Sequence, residues 1–145
     1  MFDSLKRHFQ QVLPFTEEEL SAVDQYFTEH IFAKKAMLLE APHPCKYLFF
    51  IVKGCVRHFH TKDDGNEKTC DISLENQWTT AFMSFNSGCP SNLSLQALEE
   101  TTVYRISKED LISLYAEHHN FETFGRLMAC LLYTSPSPRD RTRSR

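Results

Sequence analysis

The segment from Lys46 to His60, KYLFFIVKGCVRHFH, limits the possible folds more than any other part of the chain. It opens with an apolar run over 47–52 that is too short for most helices and is rich in aromatic and β-branched residues, as is typical of a deeply buried strand. Gly54 follows this run and can adopt the positive φ of a turn between paired strands. In the next run, alternation predicts two opposite faces, Cys55, Arg57 and Phe59 on one and Val56, His58 and His60 on the other.

Two further turn signals, at 63–66 and 86–90, divide the middle of the chain at the spacing of short strands. We therefore predict a mainly β fold with flanking helices, in which antiparallel strands form a sandwich or jelly roll. A closed roll of this kind encloses a pocket, which suits a sensor or an enzyme. The predicted strands lie near 29–33, 36–39, 47–53, 55–60, 67–73, 78–81, 92–97 and 101–106.

Helix signals flank the predicted strands on both sides. Asp3 or Ser4 can cap a first helix, and Thr16-Glu17-Glu18-Glu19 has the pattern of a capping box for a second. Ser107-Lys108-Glu109-Asp110 repeats the Ser-x-x-acid pattern ahead of a third helix. The apolar spacing of Phe121, Phe124, Leu127 and Met128 marks the beginning of a fourth.

Composition indicates one globular domain followed by a tail. The chain has 145 residues, of which 41% are hydrophobic, enough to bury a core. Neither an apolar run of membrane-spanning length nor a signal peptide is recognisable, so we expect a cytoplasmic protein without membrane contact. The five cysteines form no Cys-x-x-Cys pair and are interpreted as reduced thiols, with joint oxidation of Cys55 and Cys70 as a weaker alternative.

The last sixteen residues, CLLYTSPSPRDRTRSR, differ sharply in composition from the rest. One interpretation is an arginine–serine segment that binds nucleic acid or is phosphorylated. We favour another, since CLLYTSPSPRD resembles an in-frame translation of a transposon-derived sequencing adapter. On that hypothesis 130–145 is a non-native disordered tail and the natural sequence ends near Ala129. Without the four arginines and one aspartate of this tail, 12 basic and 18 acidic residues remain, a net charge of −6 that does not suit DNA binding.

Four segments of the chain, in their order and spacing, resemble the sensor domain of Crp/Fnr-type bacterial transcription regulators. They are KYLFFIVKGCVRHFH, DDGNEKT, SGCPSNLSLQALEETTVYRISKEDL and FGRLMA. The resemblance covers roughly residues 3–129 and implies a jelly roll, or double-stranded β-helix, of the cyclic-nucleotide-binding type. It divides the chain into N-terminal helices (1–28), a β-roll sensor core (29–106) and C-terminal helices that begin a dimer helix (107–129). It also implies a homodimer that contacts DNA only through a C-terminal helix-turn-helix domain, which is missing here.

Nucleotide-binding members of that family use a Gly-Glu step and an Arg-Ser/Thr-Ala step around the cyclic phosphate and ribose. Aligned on Gly88, these steps fall on Thr80-Ala81 and Ser91-Asn92, where neither the Glu nor the Arg is present. We therefore expect weak or no binding of cyclic AMP or cyclic GMP, and no cofactor. An unknown neutral small effector would suit the pocket, although the aromatic residues could simply fill the roll. The predicted pocket residues are Trp78, Thr79, Thr80, Ala81, Phe82, Met83, Ser91 and Asn92.

An enzyme is the alternative, because His58-Phe59-His60 places two imidazoles on one face of a strand. Cupin-like jelly-roll enzymes hold a metal with such a pair, and His43 and Glu67 could complete the ligand set. The spacing does not fit a full cupin motif, and a solvated strand end explains His58 more simply. No catalytic residues are assigned, and we predict a binding domain without enzyme activity.

Overall fold

The computed structural model describes residues 2–134, which contain five helices and eight strands. The helices are α1 (Asp3–Val12), α2 (Glu17–Tyr26), α3 (Phe82–Ser87), α4 (Lys108–Glu117) and α5 (His119–Thr134). The strands are β1 (Thr28–Phe32), β2 (Met37–Leu39), β3 (Tyr47–Lys53), β4 (Val56–Thr61), β5 (Glu67–Ser73), β6 (Trp78–Thr79), β7 (Ser94–Ala97) and β8 (Thr101–Ser107).

The strands form two four-stranded antiparallel sheets, in the orders β1-β8-β3-β6 and β2-β7-β4-β5. Each sheet alternates strands from distant parts of the chain, as expected of a roll in which the chain winds between two layers. The predicted mainly β architecture with flanking helices is confirmed, and every predicted strand is found within two residues of its predicted ends.

Strand β3 is buried on both faces, which explains its unbroken apolar sequence. Phe50 is fully buried among the helices, whereas Phe49 and Ile51 pack into the space between the two sheets. Successive side chains of a strand point to opposite faces, so one strand contributes to both cores. The core on the helical side is strongly aromatic and includes Phe2, Phe9, Phe15, Phe27, Phe50, Phe121 and Phe124.

The caps of α2 and α4 are those that the sequence predicts. The backbone N–H of Glu19 donates to Thr16 Oγ1 at 3.1 Å, and the Glu19 carboxylate accepts from the backbone N–H of Thr16 at 2.8 Å. At α4 the Ser107 hydroxyl accepts from the backbone N–H of Asp110 at 3.1 Å. Each cap satisfies N–H groups that have no partner within the helix.

The predicted cap of α1 is wrong. Asp3 is the first residue of the helix, and the residue before it is Phe2, with φ 61° and no side-chain hydrogen bond to the helix. The Phe2 ring packs edge-on against Tyr104 with 4.6 Å between ring centroids, and only 5% of Phe2 is exposed. Burial of this ring in the aromatic core fixes the start of the helix, and a tertiary contact of that kind leaves no mark in local sequence.

Helix α3 was not predicted, because its sequence FMSFNS is short and its apolar residues also suit a strand. It ends at Gly88, which has φ 78° and whose N–H donates to the carbonyl of Ser84 at 2.8 Å. A glycine in this left-handed conformation is the usual C-terminal signal of a helix. The sequence marked Gly88 as part of a turn, and its conformation reveals that the turn closes a helix.

Helix α5 reaches Thr134, so it includes the first five residues of the predicted tail 130–145. The rest of that tail, 135–145, lies outside the described residues, and its proposed adapter origin stays a prediction. Within α5, Gly125 allows close packing, since a Cβ there would overlap the Tyr115 hydroxyl of α4. None of the helices in residues 2–134 has the length and apolar character needed to cross a membrane.

Candidate functional site

A cavity of about 670 Å³ is lined by residues of both sheets and of three helices. Its wall is built from parts of β4, β5 and β6, from α3 and from the segment 90–93. Two residues distant in sequence complete it, His8 from α1 and Met128 from α5. The cavity is large enough for a small-molecule ligand.

The structure brings all the predicted pocket residues to this one cavity. Trp78 and Thr79 belong to β6, Thr80 and Ala81 link β6 to α3, and Phe82 and Met83 begin α3. Ser91 and Asn92 lie on the opposite side, between α3 and β7. All eight residues line the cavity, namely Trp78, Thr79, Thr80, Ala81, Phe82, Met83, Ser91 and Asn92.

Most of the hydroxyl groups in the wall already have partners within the protein. Thr80 Oγ1 donates to the carbonyl of Tyr47 at 2.8 Å, and Ser91 Oγ donates to the carbonyl of Leu93 at 2.8 Å. These bonds fix the side chains as a neutral, pre-organised polar surface beside the Trp78 and Phe82 rings. The wall therefore combines aromatic faces with uncharged hydroxyl groups, and Asp71 adds one carboxylate.

His58 is half-buried in the wall, so the expectation of a solvated strand end is wrong. Its Nε2 lies 2.6 Å from Thr79 Oγ1 and 3.1 Å from Ser73 Oγ. Burial lowers the pKa of His58, and the nearby Asp71 carboxylate raises this pKa by a smaller amount. The imidazole is therefore neutral at pH 7 and acts as a hydrogen-bonding group of the wall.

Trp78 connects the cavity to the helical layer. Its Nε1–H donates to His8 Nε2 at 3.0 Å, so His8 must carry its own proton on Nδ1. Its ring also lies within 6.2 Å of the ring centroids of Phe9, Phe27, Phe50 and Phe124. Burial lowers the pKa of His8, which keeps the imidazole neutral and able to accept the indole proton.

A smaller cavity of about 250 Å³ lies between the roll and the C-terminal helices. Trp78, Phe82 and Met128 line both cavities, so they form the partition between them. The smaller cavity is mostly apolar, with Leu111 and Phe124 among its wall residues. A change at the partition would therefore reach α4 and α5 directly.

No lysine or arginine lines the larger cavity among residues 2–129, whose side chains are described. Its ionisable wall residues in that range are His8, His58, Cys70 and Asp71. Both histidines are neutral at pH 7, and the one carboxylate, Asp71, would repel an anion. The charge of this wall does not match that of a cyclic phosphate.

Sequence reasoning missed several residues of the wall. His58 could have been found, because alternation along β4 placed it on the same face as the buried Val56. His8 and Met128 could not, since they come from helices that reach the cavity only through tertiary packing. The β5 residues Asp71, Ile72 and Ser73 were missed because that strand has no apolar alternation.

The geometry does not favour a metal site at His58 and His60. His58 Nε2 faces two hydroxyl groups, and His60 Nδ1 lies 3.0 Å from the carbonyl oxygen of Asn92. Among the residues that the structure describes, no group of three or more His, Cys, Asp or Glu side chains is placed to hold a metal ion. A stable site for a first-row metal needs three or four converging ligands.

The neutral histidines predict a loss of stability in acid. An unfolded histidine takes up a proton near its usual pKa of 6.5, whereas folded His58 and His8 do so at lower pH. Below pH 6.5 the unfolded chain therefore binds more protons, and the free energy of unfolding falls until the lowered pKa values are reached. Urea unfolding curves between pH 7.5 and 5 should show this decline.

Replacing His58 by glutamine should flatten that decline, because the side chain can no longer bind a proton. His119 provides the comparison, since 76% of its side chain is exposed and its partner is Glu122 at 3.3 Å, so H119Q should not reproduce the flattening seen in H58Q. An H58Q variant whose stability falls with pH as steeply as that of the parent protein would contradict the assignment of His58 as a buried neutral group.

The chain has two four-stranded antiparallel sheets, N-terminal helices and a C-terminal helix that closes a cavity. This combination defines a cyclic-nucleotide-binding fold. A family profile described as "Cyclic nucleotide-binding domain" matches residues 29–118. The chain therefore belongs to the cyclic nucleotide-binding domain family. The predicted resemblance to the sensor domain of Crp/Fnr-type regulators is confirmed at the level of the fold.

Solved structures with this fold include a cyclic nucleotide-binding domain from Methylobacillus flagellatus, at a TM-score of 0.76 and 21% identity, over 97% of this chain and 83% of that one. The sensor domain of the transcriptional regulator DNR from Pseudomonas aeruginosa matches at a TM-score of 0.68 and 18% identity, over 90% and 92%. The Thermus thermophilus catabolite activator protein matches at 0.71 and 19%, over 88% of this chain but 59% of its own length. No curated protein sequence matches the chain.

Proposed function

We propose that this chain is the effector-binding sensor domain of a bacterial Crp/Fnr-type transcription regulator, and that its effector is a neutral small molecule. The observation that carries the proposal is the cavity itself, whose described wall is aromatic and polar but has no lysine or arginine. The fold supports the role of a sensor, and the wall supports the class of ligand.

A cyclic nucleotide is a poor ligand for this wall. Its phosphate keeps one negative charge at every physiological pH and needs a cation, best an arginine that makes paired hydrogen bonds. The aligned phosphate-binding step is Ser91-Asn92, and the Ser91 hydroxyl is already bonded to the backbone of Leu93. Burying an unpaired anion beside Asp71 would cost several kcal/mol, more than the roughly 0.5–1.5 kcal/mol that an aromatic contact between a base and Trp78 would add beyond area burial.

The same wall suits an uncharged ligand with a planar or apolar part. Trp78 and Phe82 offer ring faces, and Met83 and Met128 offer adaptable thioether groups. Asn76, Gln77 and Asn92 can supply hydrogen bonds to a carbonyl, hydroxyl or amide group of the ligand. The combination of a mostly apolar surface with a few polar groups is typical of small-molecule sites.

Ligand binding would be transmitted to α5 through the partition between the two cavities. Met128 contacts both cavities, and Phe124, one turn earlier on α5, packs on Trp78 with 6.0 Å between ring centroids. A ligand that contacts Trp78 and Met128 favours the arrangement of α5 in which both side chains close on it. A ligand shifts a conformational equilibrium only when it binds one conformation more tightly than the other, and these contacts would supply that difference.

In the complete regulator, α5 would continue into a dimer helix and lead to a DNA-binding domain outside the described residues. The chain spans 59% of the length of the T. thermophilus protein, which leaves room for such a domain in a longer relative. We propose a cytoplasmic homodimer that has no enzyme activity, binds no membrane and contacts DNA through that domain. A mobility-shift assay with the uninterrupted gene product tests this part, and absence of DNA binding at low salt would refute it.

Calorimetric titration with cyclic AMP and cyclic GMP tests the ligand class. We expect no saturable binding up to about 100 μM nucleotide, because losing the phosphate and ribose partners removes roughly 1.5–3 kcal/mol for each charged contact. Saturable binding at low micromolar nucleotide would refute the proposal.

A matched pair of variants tests whether the lack of a cation in the cavity wall is the reason for the weak binding of cyclic nucleotides. Asn92 is exposed at the cavity wall, so Asn92→Arg adds a guanidinium there without removing a buried contact. It should raise affinity for cyclic AMP by roughly tenfold or more, while Asn92→Gln should not. Equal affinities of the two variants would contradict the electrostatic argument.

A further inference from the structure

Two cysteines that are far apart in sequence lie opposite each other beside the cavity. Pro44 and Pro90 form an isolated antiparallel bridge, and the N–H of Ser91 is shared between the carbonyls of Pro42 at 3.2 Å and His43 at 3.4 Å. The bridge and the bond to His43 follow one antiparallel register, in which the two residue numbers of each pair have the same sum. The next pair in this register is Cys45 and Cys89.

From this geometry we propose that Cys45 and Cys89 are a redox-active pair that a peroxide converts to a disulfide. Residues directly opposite in an antiparallel pair have Cα atoms about 4.5–5.5 Å apart, with side chains on the same side. A disulfide needs a Cα separation of about 4.4–6.8 Å. The register makes Cys45 and Cys89 opposite neighbours, and the Ser84 hydroxyl, which lies between their two backbones, must move aside for the S–S bond to form.

A single hydroxyl group holds the two segments together. The N–H of Cys45 donates to Ser84 Oγ at 2.8 Å, and Ser84 Oγ donates to the carbonyl of Cys89 at 2.5 Å. Ser84 is 3% exposed and belongs to α3, so the link is shielded from water. This bridge fixes the separation of the two cysteine backbones in the reduced protein.

The two thiols differ in exposure, which orders the reaction. Cys89 is exposed, whereas Cys45 is 4% exposed, and Cys45 Sγ lies 3.2 Å from Thr80 Oγ1 and 3.4 Å from the Tyr47 carbonyl. The Cys89 thiolate attacks the peroxide, so that an S–O bond forms, the O–O bond breaks and hydroxide leaves. Cys45 then gives up its weak contacts and attacks the sulfenic sulfur, an S–S bond forms, and water is released.

The alternative pair Cys55 and Cys70, considered from the sequence, does not meet the distance requirement. Val56 pairs with Ser73, which places Cys55 opposite Leu74 in the same register. Cys70 lies four residues farther along β5, about 13 Å away at 3.3 Å per residue. That distance is well beyond the reach of a disulfide.

The proposed disulfide would fix one wall of the larger cavity, since Ser84, Pro90 and Ser91 all line it. The link joins the segment before β3 to the segment after α3 and would restrict movement of α3. The inference goes beyond the ligand proposal and does not depend on it, because the disulfide forms or fails to form whether or not a ligand is found.

Treatment of the full chain with a small excess of hydrogen peroxide, followed by alkylation and peptide mapping without reductant, tests the proposal. We expect a mass loss of about 2 Da and one cross-linked peptide pair that contains Cys45 and Cys89. Cys89→Ser should lower the yield of intramolecular disulfide about tenfold or more, while Cys70→Ser, a change at another exposed cysteine, should not.

Because Cys89 and Cys70 are both exposed, neither variant disturbs the core, and each can be checked for folding by its unfolding midpoint. Two results would overturn the inference. One is a Cys45 thiol that is still free to be alkylated in unfolded protein after Cys89 has been oxidised. The other is a peptide map in which Cys89 is joined to any cysteine other than Cys45.

Discussion

Replacing Phe9 by alanine should lower the free energy of unfolding by about 3–5 kcal/mol, one of the two largest effects that we expect from a single substitution. Phe9 is 2% exposed and lies where α1 meets the C-terminal helices. Its ring centroid is 4.7 Å from that of Phe124, 5.1 Å from that of Phe121 and 5.9 Å from that of Trp78. Truncation removes these contacts and leaves a cavity that the surrounding rings cannot fill.

Urea unfolding followed by circular dichroism measures this loss. Ile31→Ala is the matched control, because it also removes a large apolar side chain but at a position that is 63% exposed, and it should cost less than about 1 kcal/mol. If F9A and I31A were equally stable, α1 would not be packed as the structure describes. Retention of the β-sheet signal in F9A would show that the loss is confined to the helical layer.

Replacing Gly54 by alanine should cost about 3 kcal/mol or more, for two reasons that add. Gly54 has φ +103°, a conformation that costs an alanine roughly 1–2 kcal/mol. A Cβ at this position would also lie 2.5 Å from Thr101 Oγ1 and 2.8 Å from the carbonyl oxygen of Glu100. Because these atoms belong to the neighbouring chain segment, the β3–β4 connection or the start of β8 must move, at a further cost of about 1–3 kcal/mol.

Gly65 separates the two contributions. It has φ +89°, similar to Gly54, but a Cβ there would have no atom within 4 Å. Gly65→Ala should therefore report the conformational cost alone, and the difference between the two alanine variants should report the close approach to Glu100 and Thr101. A G54A variant no less stable than G65A, compared by denaturant midpoint, would be inconsistent with that contact.

Strand positions were predictable because each strand has its own local signal. The run over 47–52, the glycines at 54 and 65 and the turn at 86–90 all act over a few residues, and the structure places strand ends close to each of them. Capping of α2 and α4 was predictable for the same reason, since a capping bond joins residues three positions apart. The start of α1 and the existence of α3 were not predictable from local sequence. The first depends on packing of Phe2 on Tyr104, and the second on the left-handed conformation of Gly88 that ends the helix.

The residues of the candidate site also divide into those that local sequence can locate and those that only tertiary packing brings together. The eight predicted pocket residues come from the two segments 78–83 and 91–92, which a family alignment on Gly88 can locate. The same cavity is also lined by His8 from α1, His58 from β4 and Met128 from α5. Both His8 and Met128 lie more than 20 residues from either segment, whereas His58 is nearer in sequence. The bridge between Pro44 and Pro90, from which the pairing of Cys45 with Cys89 is proposed, likewise joins distant segments.

The sequence by itself determined the class of fold, the order of the strands along the chain, two helix caps and the uncharged character of the pocket segments. These features follow from side-chain alternation, turn residues and short-range hydrogen bonds, which act between near neighbours. Tertiary structure decided which distant residues meet: His8 with Trp78, Met128 with the cavity, and Pro44 with Pro90. These contacts depend on how two sheets and five helices pack in residues 2–134, and packing is a property of the whole fold that no short segment encodes.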